Sequence, residues 1–289
     1  MIAVALIYGA NFTIAKIVLD DNYIQPFGFI LLRVVAGLIL FAIFHQIFIK
    51  EKVKKKDWPL FILCGFLGMA FNQLCFFKGL KLTNPINGGI IMTLMPIMVL
   101  ISAAFLLKEK VTSQKVVGVL LGTAGALILV LAGEDISALS SQSIGDILIL
   151  VNAASFGIYL VVAKLLMRDY HPITVVRWGY FFGFLFVLPF GWNEFSQVEW
   201  TLIPNNVLLA IGYVLLFTTF LAYLFNAFAL KSLNATTVAI YVYLQPIFAT
   251  LIALSFGRDS LTSDKIFSAL LVFIGVYLVS SPNILSRKK

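Results

Sequence analysis

Six sets of residues recur at helical spacing inside long apolar runs of this 289-residue chain. Tyr8 and Asn11 stand three apart. Asn152, Ser155 and Tyr159 step by three and four, Thr219, Tyr223 and Asn226 by four and three, and Thr237, Tyr241 and Gln245 by four and four. Met69, Gln73 and Phe76, and Asn87, Ile91 and Met95, lie 150 positions ahead of the last two sets. Residues spaced three or four apart share one helix face. Hydroxyls, amides and aromatic rings of this kind bind by hydrogen bonding and stacking. The wall they form suits an apolar or zwitterionic small molecule better than a polyanion. The plainer alternative is polar glue between helices, worth ~0.6 kcal/mol per contact.

Covalent chemistry finds no support. All 13 acids fall in or at the edges of loops, so no catalytic residue and no proton-coupling carboxylate is expected. His45 and His171 lie at the ends of apolar runs, where an interfacial position is expected. Cys64 and Cys75 are 11 residues apart on one predicted helix, about 16 Å along its axis, too far to bridge. No metal site and no cofactor are expected.

These residues need membrane-spanning helices to hold them. The chain is 61% hydrophobic and 12% charged, with mean hydropathy +1.01, against about 25% charged in a soluble domain. Its apolar residues come in blocks of about 20, the length that crosses ~30 Å of hydrocarbon. The fold expected is all-α and polytopic, with ten spans near 1–19, 26–49, 58–80, 83–107, 114–133, 144–167, 172–191, 204–231, 234–257 and 262–282. With both termini inside, fourteen of the 21 basic residues fall in inner loops. Four fall outside: Lys78, Lys81, Arg258 and Lys265. That asymmetry is the positive-inside signature and accounts for the net charge of +8 without nucleic acid. The run from Met1 lacks a basic leader and a small-residue exit, so no cleaved signal peptide is expected. Met1 abuts the first span, so further residues are expected ahead of it.

The chain also repeats itself. Residues 71–129 align with 221–279 without a gap, with identities at Lys81/Lys231, Asn84/Asn234, Pro96/Pro246, Thr112/Thr262, Lys115/Lys265 and Gly125/Gly275. "YGANFTIAK" at Tyr8 parallels "FGIYLVVAK" at Phe156, and Pro26/Arg33 parallel Pro172/Arg177. Two five-span units follow, 1–140 and 141–289. An odd span count inverts the second, a pattern of carriers with a central site. Pro96 and Pro246 fall near the middle of apolar runs, where proline costs about 3 kcal/mol; the pair reads as hinges, with static packing kinks as the alternative. Lys16, Arg33 and Arg177 lie inside spans. Snorkelling to the interface is the plain reading, and an anion-attracting or gating charge the sharper one. Gly118, Gly122 and Gly125 form a small-residue stripe for close helix packing, with dimerisation as the alternative.

On these residues the chain resembles a ten-span member of the drug/metabolite transporter superfamily, of the EamA type. The carriers are "YGANFTIAK", the Pro26/Arg33 pair, and the block from Asn84 to Val130 with its central proline, charged cap and Gly-rich helix. The resemblance implies a central cavity lined by spans 1, 3, 4, 6, 8 and 9, and export of small metabolites, commonly amino acids or related compounds. The expected protein is therefore a monomeric secondary transporter of the cytoplasmic membrane, working by alternating access on a small-molecule substrate in a lipid bilayer. A homodimer is the alternative assembly. Other functions weighed are an uptake permease or exchanger of the same fold, a membrane-embedded enzyme, and a non-transporting sensor.

Overall fold

The computed structural model describes residues 1–20, 23–82, 91–131, 143–255 and 262–281, and among these every regular element is helical. In chain order the helices are α1 (Ile2–Asp20), α2 (Pro26–Phe48), α3 (Trp58–Gly65), α4 (Asn72–Leu82), α5 (Met95–Leu106), α6 (Ser113–Leu131), α7 (Ser143–Asp169), α8 (Pro172–Ser196), α9 (Asn205–Tyr213), α10 (Ala222–Ser232), α11 (Ala235–Ile240), α12 (Leu244–Ser255) and α13 (Ser263–Ser280). Among the described residues, seven stretches are long and apolar enough to cross a membrane, from Pro26–Phe48 to Ser263–Ser280. Further apolar stretches are Ile2–Asn11 within α1, Met95–Leu106, which is α5, and Ser113–Ile128 within α6. Large apolar side chains point outward, Phe105 at 80% exposure and Leu209 at 76%. A bilayer covers such a surface without penalty; water would not.

Three of the apolar stretches are interrupted rather than regular. A π turn, Phe66–Phe71, joins α3 to α4, and another, Val214–Leu221, joins α9 to α10. A 3₁₀ turn, Tyr241–Tyr243, joins α11 to α12. The prolines corroborate these breaks. Pro96 sits in the first turn of α5, just after a turn at Thr93–Leu94. Pro246 is the third residue of α12. Neither interrupts a continuous helix, as their mid-run positions suggested. Each starts one, where its missing N–H has no intrahelical partner to lose.

Packing is close where glycine allows it. α6 lies along α13, α2 along α8, α4 along α7 and α1 along α12. A Cβ on Gly275 would stand 2.6 Å from the Gly118 carbonyl oxygen and 2.7 Å from the Gly122 nitrogen. The Gly118, Gly122 and Gly125 stripe thus faces α13 and Tyr243 within the chain. Elsewhere glycine seats a tyrosine ring: Gly37 faces Tyr180, Gly68 faces Tyr159 and Gly122 faces Tyr243.

Helix ends are closed by charged residues from distant segments. Gln25, the N-cap of α2, makes no side-chain cap, and Glu194 at the far end of α8 accepts from the Phe27 and Gly28 amides at 2.6 and 2.9 Å instead. A carboxylate there also meets the positive end of the helix dipole. Outside the spans, Tyr170 donates to Asp57 at 2.7 Å and accepts from the Lys54 amide at 3.0 Å. Burial, with the bond to Asp57, holds this phenol above its ordinary value of 10.0. It therefore keeps its proton and tethers the basic 50–57 segment through the neutral range.

Replacing Gly275 by Val forces α13 away from α6. The expected cost is about 1–3 kcal/mol, read as a lower thermal unfolding midpoint in detergent. An unchanged midpoint would contradict the close approach.

Candidate functional site

A broken helix in an apolar setting leaves carbonyls without ladder partners, and each must be satisfied by other protein groups. The polar side chains of this protein gather where that need is greatest. At the π turn between α3 and α4, the Leu67 carbonyl accepts from Ser155 Oγ at 2.9 Å and the Gly68 carbonyl from Tyr223 Oη at 3.3 Å. At the π turn between α9 and α10, the Thr219 carbonyl accepts from Tyr180 Oη at 3.1 Å. Ahead of α5, the Ile97 amide turns to Leu94 instead of Thr93. The freed Thr93 carbonyl accepts from Tyr243 Oη at 3.0 Å. The same phenol lies 2.5 Å from Thr123 Oγ1 on α6. Thr93 and Tyr243 are 150 positions apart, so each occupies the same place in its broken helix.

Around the second π turn the side chains converge on a cation. Arg33 is only 9% exposed and donates from Nε to Thr219 Oγ1 at 3.2 Å. The phenols of Tyr8, Tyr180 and Tyr223 lie within electrostatic range of it, and Tyr8 hydrogen-bonds the Asn226 side chain. Tyr180 and Tyr223 pack edge to face with centroids 5.3 Å apart. Five helical segments contribute: α1, α2, α8, the π turn and α10. The centre therefore carries a formal charge, where sequence pattern alone indicated a neutral wall. Arg33 does not snorkel; its helix position turns it into the bundle.

One end of the bundle is closed by a second set of contacts. Lys164 Nζ, on α7, donates to the Leu230, Lys231 and Leu233 carbonyls at 2.6, 3.0 and 2.9 Å, closing the C-terminus of α10. Lys231 Nζ donates back to the Met167 carbonyl. Glu109 accepts from the Ala235 amide at 3.1 Å and from Thr236 Oγ1 at 3.2 Å at the start of α11, and pairs with Lys115 at 3.1 Å.

The residues singled out by spacing divide accordingly. Tyr8, Arg33, Tyr159, Thr219, Tyr223 and Asn226 come together. Asn11 accepts from Thr218 Oγ1 at 3.0 Å beside them. Asn152 donates to Met92 Sδ at 3.2 Å, and Gln73 donates to the Met69 carbonyl at 3.2 Å in its own helix. Met95 is buried at the start of α5, Phe76 is half-buried against Phe77, and Thr237 is buried on α11. Tyr241 and Gln245 flank Tyr243 half-buried. Asn87 lies outside the described residues, as does the Lys16 side chain. Arg177 goes elsewhere, despite its sequence kinship with Arg33. It bonds His45 Nδ1 at 3.4 Å and lies over the Trp178 ring at 4.6 Å. It lines a separate cavity of about 470 Å³ with Lys50 and Lys52. His45, in the last turn of α2, is buried and lies 3.2 Å from Thr174 Oγ1. Among the described residues no cluster of metal-ligating side chains occurs.

Sequence spacing missed Tyr180, Tyr243, Lys164, Glu109 and Glu194. Tyr180 lies one turn after Arg177 on a span with no polar stripe. Lys164 carried a signal, as the repeat mate of Lys16.

A multi-pass helical membrane protein with a polar interior at broken helices is the architecture of a transporter. The EamA-like transporter family model matches residues 1–131 and again 143–281, and the chain belongs to that family. Its relatives are transporters rather than enzymes. It is 28% identical over 285 residues to "Uncharacterized transporter YyaM" of Bacillus subtilis (strain 168), covering 97% of this chain and 92% of the relative. It is 26% identical over 273 residues to an "Uncharacterized transporter" of Archaeoglobus fulgidus, covering 94% of each. A solved structure titled "Crystal structure of protein" shares the fold at TM-score 0.79 and 18% identity, over 99% of this chain and 96% of that one.

Replacing Tyr243 by Phe removes its bonds to the Thr93 carbonyl and to Thr123 Oγ1. The expected loss is about 1–3 kcal/mol, read as a lower unfolding midpoint in detergent. No loss would show that the bond between the two breaks contributes nothing.

Proposed function

We propose that the protein is a secondary transporter of the cytoplasmic membrane that exports a small organic metabolite, an amino acid or related compound, by alternating access. It has ten spans in two inverted units, 1–140 and 141–289, with both termini cytoplasmic. The observation that carries this reading is the junction of the two halves. Tyr8 and Arg33 from the first meet Tyr180, Thr219, Tyr223 and Asn226 from the second around one buried centre. Support for duplication comes from the two matches to one family model and from interruptions at matching places: Phe66–Phe71 and Val214–Leu221, and Thr93–Leu94 and Tyr241–Tyr243.

In this reading Pro96 and Pro246 mark the joints at which α5 and α12 swing against their preceding halves. On the proposed topology Lys164, Lys231 and Glu109 lie on the cytoplasmic side. The conformation described is then sealed inward, and opening must release the carbonyls at the end of α10. Substrate binding shifts the balance only through unequal affinity for the two states.

Two measurements test this. In liposomes, purified protein should give saturable counterflow of one class in a labelled metabolite panel, amino acids first; no counterflow from folded protein would count against a carrier. Replacing Lys164 by Gln weakens the inner seal. In a background with Cys64 and Cys75 replaced by Ala, a Cys at Leu230 should then react faster with a cytoplasmic-side maleimide, by about tenfold. An unchanged rate would remove Lys164 from the gate.

A further inference from the structure

We infer that Arg33 is the anchor for a carboxylate on the transported molecule. This inference rests on the transporter reading above and names the chemistry of its central site. A guanidinium offers five N–H donors in a planar fork. Arg33 uses Nε on the Thr219 hydroxyl, and both Nη groups are left without a bond to any described residue. No carboxylate pairs with it: the ion pair among the described residues is Lys115 with Glu109, on other elements. A buried charge without a counter-ion is costly. Here the neighbours are neutral.

The surrounding groups point the same way. Tyr180 and Tyr223 direct their protons to the Thr219 and Gly68 carbonyls. Thr218 directs its proton to Asn11. What remains at the fork is the Nη donors, with Tyr8 in electrostatic range and itself hydrogen-bonded to Asn226. That set lacks an acceptor of matching charge, and a ligand carboxylate supplies one in the bidentate geometry that guanidinium favours. The bond from Nε to Thr219 also fixes the fork's rotation, so Thr219 is a positioning residue. A lysine at position 33 would keep the charge and lose the fork.

The test separates this inference from the transport reading by measuring binding and flux independently. Wild-type protein in detergent is titrated with matched ligands bearing the same tails: leucine, leucinamide, 4-methylpentanoate and isoamylamine, with the corresponding alanine and phenylalanine sets. Thermal stabilisation reads binding, and counterflow in liposomes reads transport. The expected result is stabilisation by members carrying a carboxylate and none by the amide or amine. Arg33→Gln should weaken the carboxylate response by about 30-fold or more, Arg33→Lys should restore part of it, and Thr219→Val should weaken it less than Arg33→Gln. Equal responses to carboxylate and amide in the wild type, or no response to any carboxylate, would overturn the inference. So would an undiminished response in folded Arg33→Gln. Should the variants fail to fold, the wild-type discrimination still decides. Carboxylate-selective stabilisation without counterflow would uphold the anchor and overturn the carrier reading; counterflow of the amide and amine without the acid would do the reverse.

Discussion

The structure depends on one constraint: inside hydrocarbon, a backbone carbonyl freed from a helix must be bonded by the protein itself. Straight helices would meet it automatically. This chain breaks its helices at two π turns, at Thr93–Leu94 and at Tyr241–Tyr243. Much of its buried polar chemistry answers those breaks. Ser155, Tyr180, Tyr223 and Tyr243 each donate to a carbonyl at a break on another span. Once committed there, these groups are bonds between helices: Ser155, Tyr223 and Tyr243 reach carbonyls at Leu67, Gly68 and Thr93, far back in the chain, and Tyr180 ties α8 to the second π turn.

A polar group with its proton given to a carbonyl is structural first. Arg33 stands apart because its fork is largely uncommitted, and because a charge in such a place normally marks function. The ends of the bundle follow the same logic in a charged form. Lys164 closes three carbonyls at the end of α10, while Glu194 and Glu109 close amides at the starts of α2 and α11. Contacts of this kind are strong in one conformation and can be released in another, as a gate requires.

The membrane class was legible in the sequence because apolar block length is a direct physical requirement of the bilayer. So was the family, whose residues run through both halves. The polar stripes fall among buried polar positions, and their partners could not be read from spacing. Helical spacing shows which residues share a face; it does not show that the facing helix has a π turn whose carbonyls will take Ser155 and Tyr223. The prolines were visible, but a proline within an apolar run does not reveal whether the helix bends through it or restarts at it. Arg33 and Arg177 looked alike in sequence, since each follows a proline into a span. They diverge because one turns toward Thr219 and the other toward His45 and Trp178. Glu109 and Glu194 gave no signal, since capping across distant segments has no local spacing.

The central claim is that the two halves move against each other about the broken helices, opening and closing the end sealed by Lys164 and Glu109. The direct measurement is the distance distribution between spin labels placed at Lys110 and Ser232, both exposed on either side of that seal, with Cys64 and Cys75 replaced by Ala. Protein reconstituted in lipid should show a short and a long distance, with the ratio changing when a transported ligand is added. A single narrow distance, unmoved by a ligand shown to be transported, would contradict the account.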